Sequence, residues 1–396
     1  FTNSFMVTAS RMARAKDCST RDAHWNCAHT VWVVVDGDLR QQMFRRLDRV
    51  LFFLVLILLI VGVLFVFDAS VAEAFQQFND KFYFARQQVV WAGIGLVIMF
   101  ASSYVPMKWL KYTGWVVFFF ALLSLVLVLI PGVGSKIQGA RRWIVLGPVR
   151  YQPAELMKMG MVLYFSSWLN KHQKPGTFLF FMTVIFVLVM LQPDLGSALV
   201  LGTIGFGMYI AAGGQWKHVL AIVGIGLLGV LGFIVISPYR MERVKTFFST
   251  EGDPLGSSYH IRQITIALGS GGWFGQGFGQ SRQKYQYIPE ASTDSIFSIA
   301  AEEVGFVGSG VILALYFFVV LTGFKISEKP ADTYVRLVAV GLVTWLGAQT
   351  FINLGSIVSL IPLTGVPLPF ISYGGSALVS VLAASGILMG IGRRTT

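Results

Sequence analysis

Long apolar stretches constrain the fold of this chain more than any other feature. Segments that cross a lipid bilayer need roughly 17–25 apolar residues, and their backbone groups must be satisfied within a helix. Stretches of this kind recur along the chain, near residues 49–67, 88–105, 112–130, 153–169, 176–191, 195–212, 217–236, 294–323, 334–352 and 374–392. The sequence therefore predicts an all-α polytopic membrane protein with about ten transmembrane helices.

The composition agrees with a membrane protein. Charged residues make up 13% of the chain, whereas a soluble domain carries about 25%. The net charge of +12 does not indicate nucleic-acid binding, because membrane proteins collect Lys and Arg in cytoplasmic loops facing anionic lipids. Cys18 and Cys27 both precede the first predicted span, so no disulfide framework is expected.

The distribution of basic residues predicts the orientation. Lys and Arg in the short loops favour a chain with both termini in the cytoplasm, as the positive-inside rule requires. Residues 1–42 are then an N-terminal cytoplasmic extension without an assigned function, and 43–396 form the transmembrane domain. Two long basic loops, 131–152 and 238–293, fall outside, the second between helices 7 and 8. Basic groups outside often meet an anionic ligand.

Three carboxylates mark the start of the eighth predicted helix. Asp294 opens this helix, and Glu302 falls near the same face at 100° per residue, while Glu303 points roughly opposite. Carboxylates at or below a membrane surface are costly, which suggests a functional role. Glu302 lies about 12 Å deeper than Asp294, too far for the two to act as a pair on one bond. The alternative for Asp294 is a helix N-cap, a role for which Ser292 and Thr293 compete.

Two further clusters of charge have both structural and functional interpretations. Glu155 and Lys158 stand i, i+3 on a helix and are able to pair. They form a structural ion pair, or they line a cavity where Arg141 and Arg142 face a phosphate. Asp194 either N-caps the sixth helix or binds an ion near the membrane.

The loop segments add two expectations. Between Gly355 and Gly375, three prolines and repeated glycines exclude a regular helix. The apolar residues among them predict a re-entrant segment buried in protein, because irregular backbone does not face lipid. Within 238–293, the stretch Ile261–Leu268 is predicted to form a short amphipathic helix at the interface.

Taken together, these motifs resemble the SEDS family, the FtsW/RodA polymerases of the bacterial cell wall. The matching segments occur in family order and cover about residues 45–394; they are 141–144, 152–158, 192–196, 289–294, 302–305 and 365–376. Asp-Ser-Ile-Phe at 294–297 and the Gly-Ile-Gly-Arg-Arg ending look more like FtsW than RodA. Ser292 departs from the pattern, since many members carry His there.

The resemblance implies a glycosyltransferase that polymerises lipid II into glycan strands during division or elongation. Asp294 falls at the position of the family's essential aspartate, with the role of general base on the acceptor hydroxyl. Expected substrate-binding residues are Arg141, Arg142, Trp143, Gln152, Glu155, Lys158, Arg243, Lys245, Lys284 and Glu290. Expected structural or ion-linked residues are Asp194, Glu302, Ser372 and Tyr373.

The resemblance also implies partners and a location. The expected partners are lipid II, a class B penicillin-binding protein that acts as transpeptidase, other divisome or elongasome proteins, and membrane lipids, with no nucleic acid. The charge of a departing pyrophosphate would need stabilisation by Arg and Lys or by a divalent cation, Mg²⁺ or Mn²⁺, and no organic cofactor is expected. The chain would lie in the bacterial cytoplasmic membrane, with its active site on the extracytoplasmic side.

Two rival functions stay open at the level of sequence. One is a lipid II flippase or transporter, in which Glu155, Lys158, Glu302 and Glu303 line a translocation path. The other is a non-catalytic scaffold for a transpeptidase. Transporters often carry broken helices in both halves, and the sequence shows one clear broken segment, 355–375.

Overall fold

The computed structural model describes most of the chain. The described residues are 47–137, 140–147, 149–171, 174–215, 257–285, 288 and 290–394, with isolated positions between 217 and 241. Over these ranges the protein is mostly helical, and six helices are long and apolar enough to cross a membrane. The seventh predicted span, 217–236, lies outside the described residues except for isolated positions, and Arg243 and Lys245 lie outside them as well.

The helices follow the apolar pattern closely. They are α1 (Leu47–Phe78), α2 (Tyr83–Tyr104), α3 (Met107–Leu127), α4 (Pro153–Lys171), α5 (Pro175–Leu191), α6 (Leu195–Ala211), α7 (Ser257–Ser270), α8 (Ile296–Ser327), α9 (Thr333–Ile357) and α10 (Gly375–Arg394). Helix α7 corresponds to the predicted short amphipathic helix. Every other predicted span outside 217–236 coincides with one of these helices.

The loop 131–152 differs from the all-α expectation. It contains a three-stranded antiparallel sheet of order β1-β2-β3, formed by β1 (Gly134–Ile137), β2 (Ala140–Leu146) and β3 (Val149–Tyr151). Trp143, Ile144 and Val145 are residues that favour a pleated, half-buried surface. The strands were not predicted because they are short and lie between long apolar segments that favour helices.

Helix α9 is central to the packing. It contacts α4, α6 and α8, and its Trp345 side chain is fully buried. Elsewhere α2 packs along α10, and α3 packs along α4. The polar side chains of Gln349, Thr350 and Asn353 on α9 are buried in protein.

The segment 358–374 runs without helix through the protein, which confirms the predicted irregular buried segment. Val366, Leu368 and Phe370 are all buried. Side chains supply partners for its carbonyls: Gln349 Nε2 donates to Pro367 O at 2.9 Å. Buried protein surroundings are what make such backbone tolerable at membrane depth.

Helix α8 contains a second interruption, which the sequence analysis missed. Gly305 has φ 69° and ψ −168° inside the helix. A loop inserts at this point, so that Gln276 N donates to Glu302 O at 3.0 Å and Phe306 N donates to Gly272 O at 2.9 Å. Hydrogen bonds lost within the helix are thus replaced by bonds to the loop, as a broken helix in a membrane requires.

Gly305→Ala is expected to destabilise the protein. The new methyl group would meet the backbone of Gly275 and lie 2.6 Å from Phe274 C, and the backbone conformation alone costs about 1–3 kcal/mol in a non-glycine residue. A melting temperature several degrees below wild type in detergent is the expected result. Gly310→Ala is the matched control, because nothing lies within 4 Å of that position. Equal melting temperatures for both variants would contradict the interpretation.

A buried ion cluster joins the loop that precedes α8 to α1 and to α8 itself. Lys284 Nζ lies 2.7 Å from Asp68 Oδ1 and 3.0 Å from Glu303 Oε1, and all three residues are buried. Burial alone lowers the pKa of the Lys284 ammonium, but its hydrogen bonds to Asp68 and Glu303 raise the pKa above its ordinary value. Lys284 therefore stays charged at neutral pH, between two carboxylates.

The same loop wraps around the neighbouring carboxylate. Glu302 accepts hydrogen bonds from Ser281 Oγ, from Arg282 N at 3.2 Å and from Gln283 N at 3.4 Å. Ser281 N donates to Glu303 at 3.0 Å. Both carboxylates, two and three residues before the break in α8, therefore contact the same loop.

Lys284→Met is expected to lower the melting temperature strongly. Removing one partner of a buried ion pair costs about 3–5 kcal/mol, because the other partner is left charged and buried. The double variant Lys284→Met/Asp68→Asn should recover part of the loss. Lys325→Met, which removes an exposed lysine of α8, should melt near wild type in the same thermal scan. A Lys284→Met protein as stable as this control would exclude the cluster as a stabilising element.

Candidate functional site

Asp294 lies in a turn just before α8. The side chain is half-buried, and Thr293 Oγ1 lies 3.2 Å from Asp294 Oδ1. The N-cap of α8 is Ser295, so Asp294 is not the capping residue. Gly365 faces the carboxylate closely enough that a methyl group there would lie 3.6 Å from Asp294 Oδ2. The missing side chain at 365 leaves room beside this oxygen.

The segment 358–374 holds the turn from one side. Tyr373 N donates to Ser292 O at 2.9 Å, and Ser372 Oγ donates to Thr293 O. The Tyr373 hydroxyl donates in turn to Gln87 Oε1 on α2. Ser372 and Tyr373, predicted as structural or ion-linked residues, thus contact the backbone of the residues that precede Asp294.

Two residues that the sequence analysis did not single out complete the surroundings of the turn. Asn353 of α9 donates to Asp294 O at 2.8 Å. His260 of α7 places Nε2 2.9 Å from Ser295 Oγ. The available sequence signal for Asn353 was a polar residue inside an apolar helix, four residues after Gln349.

A second cluster lies deeper, between α4 and α9. Lys158 Nζ is 2.7 Å from Glu155 Oε1 and 2.7 Å from Gln349 Oε1. The ammonium also lies 5.4 Å from the centre of the Trp345 ring. All four side chains are buried, and the i, i+3 pair predicted from sequence is present.

A third cluster surrounds the turn between α5 and α6. Asp194 N-caps α6 by accepting from Ser197 N at 3.0 Å, as one alternative predicted. Gln152 Nε2 donates to Asp194 Oδ2 at 3.4 Å. Arg142 Nε donates to Gln192 O at 3.1 Å and Nη2 to Pro193 O. The positive charge of Arg142 therefore lies at the carboxyl end of α5, where it interacts favourably with the helix dipole.

The arginine pair lies at a bulge in β2. Ser135 of β1 pairs with Trp143 and the next residue, Lys136, pairs with Arg141, so Arg142 is an extra residue in β2. A bulge bends the strand and redirects the side chains beside it. Of the two arginines, Arg142 bonds to the turn between α5 and α6.

The site shows which residues fit a divalent cation. Within the described ranges, no group of three or more His, Cys, Asp or Glu is arranged to hold a metal ion. However, Glu290 Oε2 and Asp294 Oδ1 lie 2.8 and 3.2 Å from the same Thr293 hydroxyl. Mg²⁺ is commonly held by one or two carboxylates together with substrate phosphates. Glu290 and Asp294 fit that pattern.

The predicted residues thus fall into separate places. The turn before α8 contains Glu290 and Asp294. Ser372 and Tyr373 contact this turn from the segment 358–374. A second cluster contains Glu155 and Lys158. A third contains Arg142, Gln152 and Asp194. Lys284 and Glu302 both lie at the contact between α8 and the loop that precedes it. The turn and the Lys158 cluster are connected through α9 and the segment 358–374.

Known proteins resemble this chain along most of its length. The family model for FtsW, RodA and SpoVE, described as "Cell cycle protein", matches residues 48–396. Stage V sporulation protein E of Bacillus subtilis is 39% identical over 358 residues, which are 87% of this chain and 97% of that protein. A protein of Trichlorobacter lovleyi named "Probable peptidoglycan glycosyltransferase FtsW" is 36% identical over 352 residues, 87% of this chain and 92% of that one.

Solved structures agree with the sequence relatives. A chain from a study of the "structural coordination of polymerization and crosslinking by a peptidoglycan synthase complex" superposes with a TM-score of 0.72 at 30% identity, covering 87% of this chain and 97% of that chain. The rod shape determining protein RodA of Thermus thermophilus gives a TM-score of 0.64 at 29% identity, with 87% and 95% covered. This chain therefore belongs to the FtsW/RodA/SpoVE family of integral membrane proteins.

Proposed function

We propose that the protein is a peptidoglycan glycosyltransferase that polymerises lipid II, with Asp294 as its general base. The observation that carries the proposal is the half-buried Asp294 carboxylate, whose turn is held from three sides beside the open position left by Gly365. Relatives at 35–36% identity bear the name of this activity. A base needs such a fixed carboxylate within reach of the hydroxyl it deprotonates.

The reaction follows from the placement of that carboxylate. Asp294 accepts the proton of a sugar hydroxyl while the hydroxyl oxygen attacks the anomeric carbon of the donor. The bond between that carbon and the pyrophosphate oxygen breaks, and the polyprenyl pyrophosphate leaves with the electron pair. General-base catalysis of this kind contributes about 10²–10⁴-fold.

The departing pyrophosphate needs positive charge close by. Arg141, half-buried in β2, is a described basic candidate. Arg142, Lys158 and Lys284 already contact carbonyl or carboxylate oxygens. Arg243 and Lys245 stay candidates outside the described residues. A divalent cation held by Asp294 and Glu290 would neutralise the pyrophosphate, which is the chemistry such ions supply.

The wider setting belongs to the same proposal. The chain would cross the cytoplasmic membrane ten times, with the turn at Asp294 on the extracytoplasmic side, where the positive-inside rule puts the long loops. Its partner would be a class B penicillin-binding protein, since a structural neighbour comes from a complex that coordinates polymerization and crosslinking. The FtsW-like motifs favour a role in division.

Asp294→Asn is expected to abolish glycan synthesis. The amide keeps the shape of the side chain but cannot take a proton, so the rate should fall by about 10²–10⁴-fold. The assay is lipid II polymerisation in liposomes with the cognate penicillin-binding protein, read as glycan ladders on a gel. Asp80→Asn is the matched control: Asp80 pairs with Arg86 at 3.1 Å and accepts from Phe82 N at 3.0 Å, and it has no assigned role in the reaction.

The outcomes separate the rival functions. Ladders from Asp294→Asn at a rate near wild type would exclude this residue as the base. Wild type that makes no ladders but carries labelled lipid II across the bilayer would point to the flippase. Wild type that does neither, yet stimulates the transpeptidase, would point to the scaffold.

A further inference from the structure

Asn353 connects three elements through one side chain. It lies on α9 with 1% of its surface exposed. One bond of its Nδ2 group runs to Asp294 O at 2.8 Å and the other to Val366 O at 2.7 Å. Both protons of the amide are therefore used, one on the turn of the proposed base and one on the segment 358–374.

The bond to Asp294 completes a run of three fixed carbonyls. Ser292 O and Thr293 O accept from Tyr373 N and Ser372 Oγ. Those two donors belong to the segment 358–374, whereas the donor to Asp294 O comes from a packed helix. Asn353 thus links the Asp294 backbone directly to a helix of the core.

The position of α9 itself is fixed one turn earlier. Gln349 donates to Pro367 O at 2.9 Å and accepts from Lys158 Nζ at 2.7 Å. Asn353 and Gln349 are four residues apart and lie on one helix face. The neighbouring carbonyls of Val366 and Pro367 are therefore held by two successive turns of α9.

We infer that Asn353 is a positioning residue for the transfer reaction, acting by fixing the backbone carbonyl from which the Asp294 side chain projects. The inference rests on the proposed function. An aspartate side chain has few rotatable bonds, so fixing its backbone largely fixes its carboxylate. Misplacing a reacting group by about 1 Å costs on the order of 10²-fold in rate.

The test replaces the amide by a side chain of similar volume. Asn353→Leu leaves both carbonyls without this donor and should lower kcat about 10- to 100-fold, with KM for lipid II changed by less than about threefold. Thr350→Val is the matched control, because Thr350 is buried on the same helix and bonds only to Leu346 O of its own helix, at 2.8 Å. If Asn353→Leu does not accumulate in the membrane, Asn353→Ala removes the same donor without added bulk.

A double-variant experiment separates positioning from general stability. In an Asp294→Glu protein, whose carboxylate is already displaced, adding Asn353→Leu should reduce the residual rate little, because residues acting through one group are not additive. Hydrogen–deuterium exchange of residues 290–296 should be faster in Asn353→Leu than in Thr350→Val. This exchange readout does not depend on enzymatic activity.

Three results would overturn the inference. The first is a polymerisation rate for Asn353→Leu equal to that of Thr350→Val. The second is a double variant in which Asn353→Leu lowers the rate of the Asp294→Glu protein by the same factor as it lowers the wild-type rate. The third is unchanged exchange of residues 290–296. If wild type makes no glycan with its partner, the proposed function fails, and the exchange measurement still decides whether Asn353 holds the turn.

Discussion

The need to satisfy every backbone polar group in a low-dielectric interior governs this structure. Irregular backbone interrupts the helices in two places, the segment 358–374 and the break at Gly305, and at both the freed groups bond to protein. Asp294 lies where the first of these places meets the start of α8. The proposed base therefore lies in backbone without regular secondary structure, whose conformation depends on hydrogen bonds to neighbouring protein.

Buried charge follows the same rule. Lys158 and Lys284 both lie among carboxylate and amide oxygens, Lys158 beside Glu155 and Gln349, and Lys284 beside Asp68 and Glu303. Each buried ammonium is thus compensated by oxygens of its own cluster, as the burial of a charge requires.

Much of this organisation was predictable from the sequence because it depends on local patterns. The long apolar segments predicted the helices, and the i, i+3 spacing of Glu155 and Lys158 predicted their ion pair. The family motifs pointed to Asp294. Long-range partners were not predictable, since Asp68 meets Lys284 across 216 residues. The break in α8 was missed because a lone glycine in an apolar run is usually tolerated, and only the inserted loop makes it necessary.

The break at Gly305 has a mechanical consequence. The loop around Gly272 and Gln276 bonds to α8 on both sides of the break: Gln276 N donates to Glu302 O, and Phe306 N donates to Gly272 O. A change in the tilt of α8 after Gly305, as a change in bilayer thickness demands, would therefore also move this loop. The break thus couples the loop that carries Lys284 to the position of the long apolar helix.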